Sequence, residues 1–563
     1  MSVEGIPQSV PRFDPEAFVN AIARVSRDDD KMPDPEKGVG RECYAFTEQE
    51  DAALSEVEKA AREIFQGLEE GKDFEIRHDA IGNTFVTLKA YGSNLPPVWV
   101  GSHVDSVANG GKFDGVAGVA IGLEMLSTLA QGDIKAKRDF TVAVFRSEES
   151  SPKNSYGCLG SAVATGLITP ESLNGIKYEV GTGVSLKDHF TERYGAGRWA
   201  DVETSLGRSP INKDTVGAYL ELHIEQSGVA SANDKDIGIV VEGIGGARRE
   251  KTAVTLKPET FETKDDECDE VTLTFEGEPN HTGGTPPNRN FYNVPGVVWY
   301  RKDALVASSN VVNKLLQDSA IKLLSSQPPK PTGFTSIPAR QIVKLLVPKS
   351  RIAEFSTRLS ELSKESTEKL GVKVSAALQP FTGESASIVD SSRVRQLMNV
   401  PQIVSVLATK AFQKQGTETG TTRATIVDYN LTPDSIAYNL DLREVNEAHL
   451  KELMELVHKR QELTLGEGSF TLISAKVHSP VDPELVQRLQ AHARELGISF
   501  VLMPSGAGHD ADRIAAKGVP VGMVFVRQKD GVSHSPYERM DWNDYKKASA
   551  VMRAAIVKLL KEE

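Results

Sequence analysis

Cysteine is scarce in this chain: Cys43, Cys158 and Cys268 are the only three in 563 residues, far apart and without a CxxC pair. That spacing excludes a thiolate metal site or a disulfide scaffold and fits a reducing compartment. Long apolar runs are missing too. No stretch reaches the roughly 18–20 consecutive apolar residues of a membrane span. The opening residues, MSVEGIPQSVPRFDPEAF, carry neither the basic head nor the apolar stretch of a secretory signal. A basic surplus is also lacking. Sixty-five Lys and Arg against 78 Asp and Glu leave a formal charge of -13, which argues against a nucleic-acid partner. No repeat, heptad array or low-complexity tract breaks the chain. The absences together predict a cytoplasmic protein with no nucleic-acid or membrane partner.

What is present is enough length for two or more domains. From about Phe13 to Leu68 the pattern is helical. Short apolar runs then appear at PPVWVG, FTVAVF, GAYLEL and VPVGMVFV, separated by helical stretches such as GVAIGLEMLSTLA. Apolar strands alternating with helices predict an α/β domain with a mostly parallel central sheet. The middle differs. An acidic stretch, FETKDDECDE, leads to alternating VTLTFEG, SIAYNLDLR and FTLISAKV, with the helical RIAEFSTRLSELSKESTEKL between them. This predicts an inserted α+β domain over 242–478, between two parts of the α/β domain, 1–241 and 479–563. SSQPPKPTG and KQGTETGTT read as loops within the insert.

Each run of the α/β domain leads into acidic, histidine or amide side chains. VWVGSH ends at His103, FTVAVFRSEE at Glu148 and Glu149, GAYLELHIEQ carries His223, Glu225 and Gln226, and VPVGMVFVRQKDGVSH reaches His534. Open α/β sheets bind ligands beyond the carboxyl ends of their strands. Singly, an HxD is a polar turn, an EE pair a solvated helix face, and a strand histidine a satisfied core residue. Jointly they describe a site. Histidine and carboxylate without cysteine suit Zn²⁺, Mn²⁺, Co²⁺ or Ni²⁺. Asp105, two places beyond His103 on the same side of the chain, is placed to accept from the far ring nitrogen of that histidine. The glycines around Asp114 in GSHVDSVANGGKFDG predict room for close approach of backbone and metal. Of the glutamate pair, one can bind metal while the other serves as general base.

Nine motifs occur in order between Pro97 and Glu538: GSHVDSVANGGKFDGVAGVAIGLEML, FRSEES, GSAVATG, ELHIEQSG, NHTGGTP, RKDALVA, NLTPDSIAYNLDLRE, PSGAGHDA and GVSHSPYE. In them the chain resembles the metal-dependent amidohydrolases of the M20 peptidase group, in the branch of N-carbamoyl-L-amino-acid hydrolase, β-ureidopropionase and allantoate amidohydrolase. The resemblance implies two divalent ions per subunit. His103, Asp114 and His223 would hold one, and Asp114, Glu149 and His534 the other, with Asp114 bridging. It makes Glu148 the general base, Asp105 the partner of His103, and His281 of the inserted lid the residue that polarises the scissile carbonyl. Asn430 and Arg443 would hold a substrate carboxylate, and Gln226, His509 and Asp510 match positions near the site. Histidine at 223, where related peptidases carry a carboxylate, points to the ureido-hydrolysing branch. The implied substrate is a small molecule with a carboxylate and a ureido group, and the implied assembly a homodimer through the lid. By residue type alone, Arg443 is an ordinary surface cation and His281 a turn residue. Three departures stand out. SSPKNSYG follows the glutamate pair and puts Pro152 at the pocket rim, PNRNFYNVPGVVWY is extra, and the lid is longer around 250–268 and 306–415.

Overall fold

A computed structural model describes residues 12–562 except 27–39, 91, 133, 152, 155, 179–182, 207, 209, 264–266, 283–300, 330–335, 416–422, 445, 467–469, 477–478 and 529–530. The chain forms two compact units, Met1–Gly245 with His478–Glu563, and Gly246–Val477. Pro152 and the segment 287–300 lie outside the described residues.

The first unit is built on an eight-stranded mixed sheet. Its first six strands are β1 (Phe74–His78), β2 (Thr84–Leu88), β3 (Val98–His103), β4 (Phe140–Phe145), β5 (Ala218–Ile224) and β6 (Ile237–Ile244). Across the sheet they run β1-β2-β4-β3-β5, then Val521–Val526, β6 and Phe500–Ser505. The four central strands, β4, β3, β5 and Val521–Val526, are mutually parallel. All of their residues are buried. These are the four apolar runs picked out in the sequence, and their lack of alternation marks strands covered on both faces. Helix Val116–Ala130 packs on this centre with 13 of its 15 residues buried, so it too reads as a continuous apolar run. The α/β fold with a mostly parallel sheet is as expected.

A buried ion pair fixes the chain just before the glutamate pair. The Arg146 guanidinium meets the carboxylate of Glu50, from helix Glu48–Ile64, with Nε at 2.7 Å. It also reaches Asp51 at 2.7 Å. The Glu50 carboxylate accepts in addition from the backbone N–H groups of Phe46 at 2.7 Å and Ser147 at 3.2 Å. Both side chains are withdrawn from water, so each depends on the other for compensation.

The second unit has an eight-stranded antiparallel sheet, in the order Lys373–Pro380, Cys268–Glu276, Arg340–Pro348, Lys322–Gln327, Arg423–Leu431, Ser435–Glu444, Gly246–Thr255, Phe470–Lys476. Alternate residues of its strands, such as Val343, Leu345 and Val347, share one apolar cluster with helices Ala304–Leu315, Ile352–Leu370 and Glu447–Leu465. Leu346 points the other way, into a smaller cluster with Cys268 and Ile388. The stretches 250–268 and 306–415, which read as extensions, supply strands and helices of this body. SSQ at 325–327, expected in a loop, ends a strand instead. Ser326 is buried there and accepts from the Gln341 side chain across the sheet at 2.9 Å. Of KQGTETGTT, Lys414 and Gln415 close a helix and 416–422 lie outside the described residues.

Replacing Glu50 by alanine leaves the Arg146 charge buried and alone. The expected cost is about 3–5 kcal/mol of unfolding free energy, read as a lower urea midpoint. A loss below about 1 kcal/mol would show that packing alone holds this corner.

Candidate metal centre and active site

The parallel centre of the sheet delivers its functional side chains to one edge. His103 is the last residue of β3 and His223 the sixth of the seven in β5. Glu148 and Glu149 follow β4, and His534 follows Val521–Val526 after a short loop. All of these side chains are buried. Asp114, in the loop before helix Val116–Ala130, stands between them. Its Oδ1 lies 3.1 Å from His223 Nε2 and 3.6 Å from His103 Nε2. Its Oδ2 lies 3.7 Å from His534 Nε2, which is 3.3 Å from Glu149 Oε1. Two donor groups result, His103–Asp114–His223 and Asp114–Glu149–His534, with Asp114 common to both.

The supporting contacts explain the local sequence. Asp105 Oδ1 lies 3.3 Å from His103 Nδ1, and its two oxygens accept the backbone N–H groups of Glu148 at 3.1 Å and Glu149 at 2.9 Å. One carboxylate therefore links the ends of β3 and β4. The Asp114 Oδ2 accepts from Gln226 Nε2 at 2.6 Å and Ser533 Oγ at 2.9 Å, so Gln226 faces the shared carboxylate. Glu538 Oε1 accepts the backbone N–H groups of Phe113 at 2.8 Å and Asp114 at 3.1 Å. Gly115 has φ +68°, and a Cβ there would sit 2.5–2.6 Å from the His103 ring. A Cβ on Gly111 would run into the Glu538 side chain. The glycines thus clear space for the His103 ring and the Glu538 side chain. Ser147, Cys158, Gln226 and His534 all have positive φ without being glycine, and such strain concentrates where side chains must be aimed.

Charge is unbalanced here. Burial pushes the carboxyls of Glu149, Asp510 and Glu538 above their ordinary range, and neighbouring carboxylates push the same way, Asp114 on Glu149 and Glu538, Glu148 on Asp510; Glu538 reaches about 8. Burial opposes the charge on Asp114, but His223, His534 and His103 hold its carboxyl well below the usual range. The His223 ring, resisted by burial, is drawn up to about 9 by Asp114. A divalent cation would relieve this crowding of anionic groups. Donors bound at 2.0–2.1 Å to a tetrahedral ion stand about 3.3–3.4 Å apart, close to the separations between neighbouring donors here. The all-oxygen-and-nitrogen set fits Zn²⁺, Mn²⁺, Co²⁺ or Ni²⁺.

The sequence did not single out Glu221. Glu221, two places before His223 on the same face of β5, accepts from Ser102 Oγ at 3.0 Å and from the Ala511 N–H at 3.1 Å. With His223 and His509 it forms a third donor group. The period of two that linked His103 to Asp105 would have found it. His509 is buried, 3.0 Å from Ser505 Oγ and edge-on to the His223 ring at 4.6 Å. Asp510 accepts from Ser161 Oγ at 2.6 Å.

His281, Asn430 and Arg443 belong to the second unit. His281 is buried and its backbone bridges to Ser336. Arg443 is 1% exposed and no surface cation. Its Nε lies 3.0 and 2.9 Å from the two oxygens of Asp441, while Nη2 has no hydrogen-bond partner among the described residues. Asn430 pairs with Ala437 and Arg443 with Arg423. The two therefore lie six residues apart along the hairpin, about 20 Å at ~3.3 Å per residue, and the structure does not bring them together.

Residues 99–558 match the pattern of peptidase family M20/M25/M40. The chain belongs to this family. The N-carbamoyl-L-amino-acid amidohydrolase of Pseudomonas sp. (strain NS671) is 25% identical over 513 residues, 90% of this chain and 92% of the relative. The allantoate amidohydrolase of Bacillus subtilis (strain 168) is 26% identical over 468 residues, 82% and 81% of the two chains. Among solved structures, an amidase of the hydantoinase/carbamoylase family from Burkholderia multivorans shares the fold with a TM-score of 0.52 at 21% identity, covering 98% of this chain and 99% of its own. The resemblance read from the motifs is borne out, and this M20 protein is an amidohydrolase.

In this M20 hydrolase, Gly115→Ala drives a methyl group into the His103 ring. Zn²⁺ affinity measured by titration calorimetry is expected to fall at least tenfold. Gly132→Ala, which also has positive φ but meets nothing within 4 Å, carries a backbone penalty without a clash and should bind Zn²⁺ as the parent does. Equal losses in both would refute the His103 explanation.

Proposed function

We propose that this hydrolase cleaves the carbamoyl C–N bond of an N-carbamoyl amino acid, giving the amino acid, carbon dioxide and ammonia. The observation that carries the reading is the pair of donor groups sharing Asp114, with Glu148 Oε2 3.7 Å from His103 Nε2 on their flank. His103, Asp114 and His223 hold one divalent ion, and Asp114, Glu149 and His534 the second. Bound ions of this kind polarise a carbonyl and bring the pKa of water toward neutrality. Glu148 takes the proton of the attacking water and returns it to the leaving nitrogen as the C–N bond breaks. Asp105 holds His103 in one tautomer and fixes the backbone of Glu148 and Glu149. Gln226 orients Asp114, and His509 lies beside His223.

The resemblance gives His281, in its own chain or in the partner's, the part of polarising the scissile carbonyl, a contact worth about 3–4 kcal/mol of barrier. Arg443 holds the substrate carboxylate through Nη2, which has no hydrogen-bond partner among the described residues. The separation along the hairpin means that one carboxylate cannot reach both Arg443 and Asn430, and the buried arginine is the better donor. The second unit also pairs two chains as a homodimer. A cytoplasmic location is supported by the scarcity and wide spacing of the three cysteines, all of them buried. Among the described residues no helix is long and apolar enough to cross a membrane.

Ammonia release on N-carbamoyl-L-amino acids, N-carbamoyl-β-alanine, allantoate and a dipeptide, each with and without chelator, tests the reaction. Chelator-sensitive ammonia from an N-carbamoyl amino acid is expected. Allantoate turnover instead would move the protein to that branch, and dipeptide cleavage alone would make it a peptidase or aminoacylase. Metal counting tests the site. The parent should hold two ions per chain, His223→Ala and His534→Ala about one each, and Asp114→Ala neither. A parent with one ion, or a histidine variant that keeps two, would overturn the assignment.

A further inference from the structure

One side chain touching Glu148 has no part in the reaction as described. Cys158 sits at the start of helix Leu159–Ala164, is fully buried and has φ +55°. Its backbone N–H donates to the Glu148 carbonyl at 2.7 Å. Its thiol donates to Glu148 Oε1 at 3.0 Å. The next two N–H groups, of Leu159 and Gly160, donate to the carbonyls of Ser147 and Arg146 at 2.9 Å each. The turn that begins the helix therefore docks on the backbone of 146–148 and carries the sulfur to a fixed point beside one carboxylate oxygen. The other oxygen, Oε2, is the one facing His103.

We propose that Cys158 is a positioning residue for Glu148. Its thiol occupies Oε1, so that Oε2 is the oxygen presented to the water proton. The inference rests on Glu148 being the general base. A buried cysteine by itself is an ordinary small apolar side chain; here its one weak donor meets the one carboxylate that must move a proton. An alanine side chain would withdraw that donor from Oε1, whereas a serine hydroxyl would replace it.

The test uses the metal-loaded protein and the ureido substrate it turns over best. Cys158→Ala should lower kcat about 5- to 20-fold, the scale of one modest hydrogen bond, with KM changed less than twofold and bound metal unchanged. Cys158→Ser, which restores a donor, should recover kcat to within about threefold of the parent. An alanine variant with parental kcat, a serine variant as slow as alanine, or a loss that tracks loss of metal would overturn the inference. A spectroscopic readout does not depend on turnover. The Raman S–H stretch assigned to Cys158 by its loss in Cys158→Ala should move to higher frequency in Glu148→Ala, and an unmoved band would also overturn it. Glu148→Gln separates the two readings. Full activity in that variant removes the base assignment itself, whereas a silent Glu148→Gln beside an active Cys158→Ala removes only the role of the thiol.

Discussion

The carboxylate of Asp105 is the constraint on which the rest of the site depends. It faces the His103 ring at the end of β3 and accepts the two consecutive N–H groups that open the loop after β4. Three groups from two strands are thereby set by one side chain. Without it, His103 could choose its tautomer and the glutamate pair could slide along the sheet edge. Because the acceptor is buried and ionic, its hydrogen bonds are strong and directional. The Arg146–Glu50 pair braces the same loop from behind, where Glu50 accepts the Ser147 N–H.

Much of this could be read in the sequence. The four central strands were legible because burial on both faces erases alternation, leaving short runs such as FTVAVF that only a parallel core explains. Four of the five residues of the two donor groups, His103, Glu149, His223 and His534, were legible because they lie at or just beyond the ends of those strands. The β1–β2 hairpin was not, since FEIRH is a half-exposed edge strand and TFVTL, though paired on both sides, intersperses threonines among its apolar residues. SSQ at 325–327 was mistaken for a loop because serine favours turns, while cross-strand pairing of Ser326 with Gln341 overrides that preference. Asn430 and Arg443 looked like partners thirteen positions apart in sequence. A hairpin turn at 432–434 sends them to different ends of the strand pair, and no sequence spacing reveals where the turn falls.

Glu538 and Cys158 share a reason for going unread. Each acts on a site residue instead of occupying the site, and its partner lies elsewhere in the chain or across a turn. Glu538 anchors residues 113 and 114 over a separation of more than four hundred positions. Contacts of that range leave no periodicity. A motif reading captures the groups that touch substrate or metal and misses the ones that aim them.

The supporting groups also decide why the site can be so acidic. Glu221, Asp510 and Glu538 are buried beside Asp114, Glu148 and Glu149, and burying this many carboxylates without cations opposes folding. Much of the cost is met locally. Glu221 and Glu538 accept backbone N–H groups, and Asp510 accepts the Ser161 hydroxyl. Among the described residues, Glu149 Oε1 and one oxygen each of Asp510 and Glu538 receive no hydrogen bond, and the carboxyls of all three are held above their ordinary range. Hydrogen bonds thus go to the carboxylates that hold the framework, and the least compensated acids are left beside the three histidines. A cation bound there would take the place of the protons those raised carboxyls hold, so metal binding and folding reinforce each other.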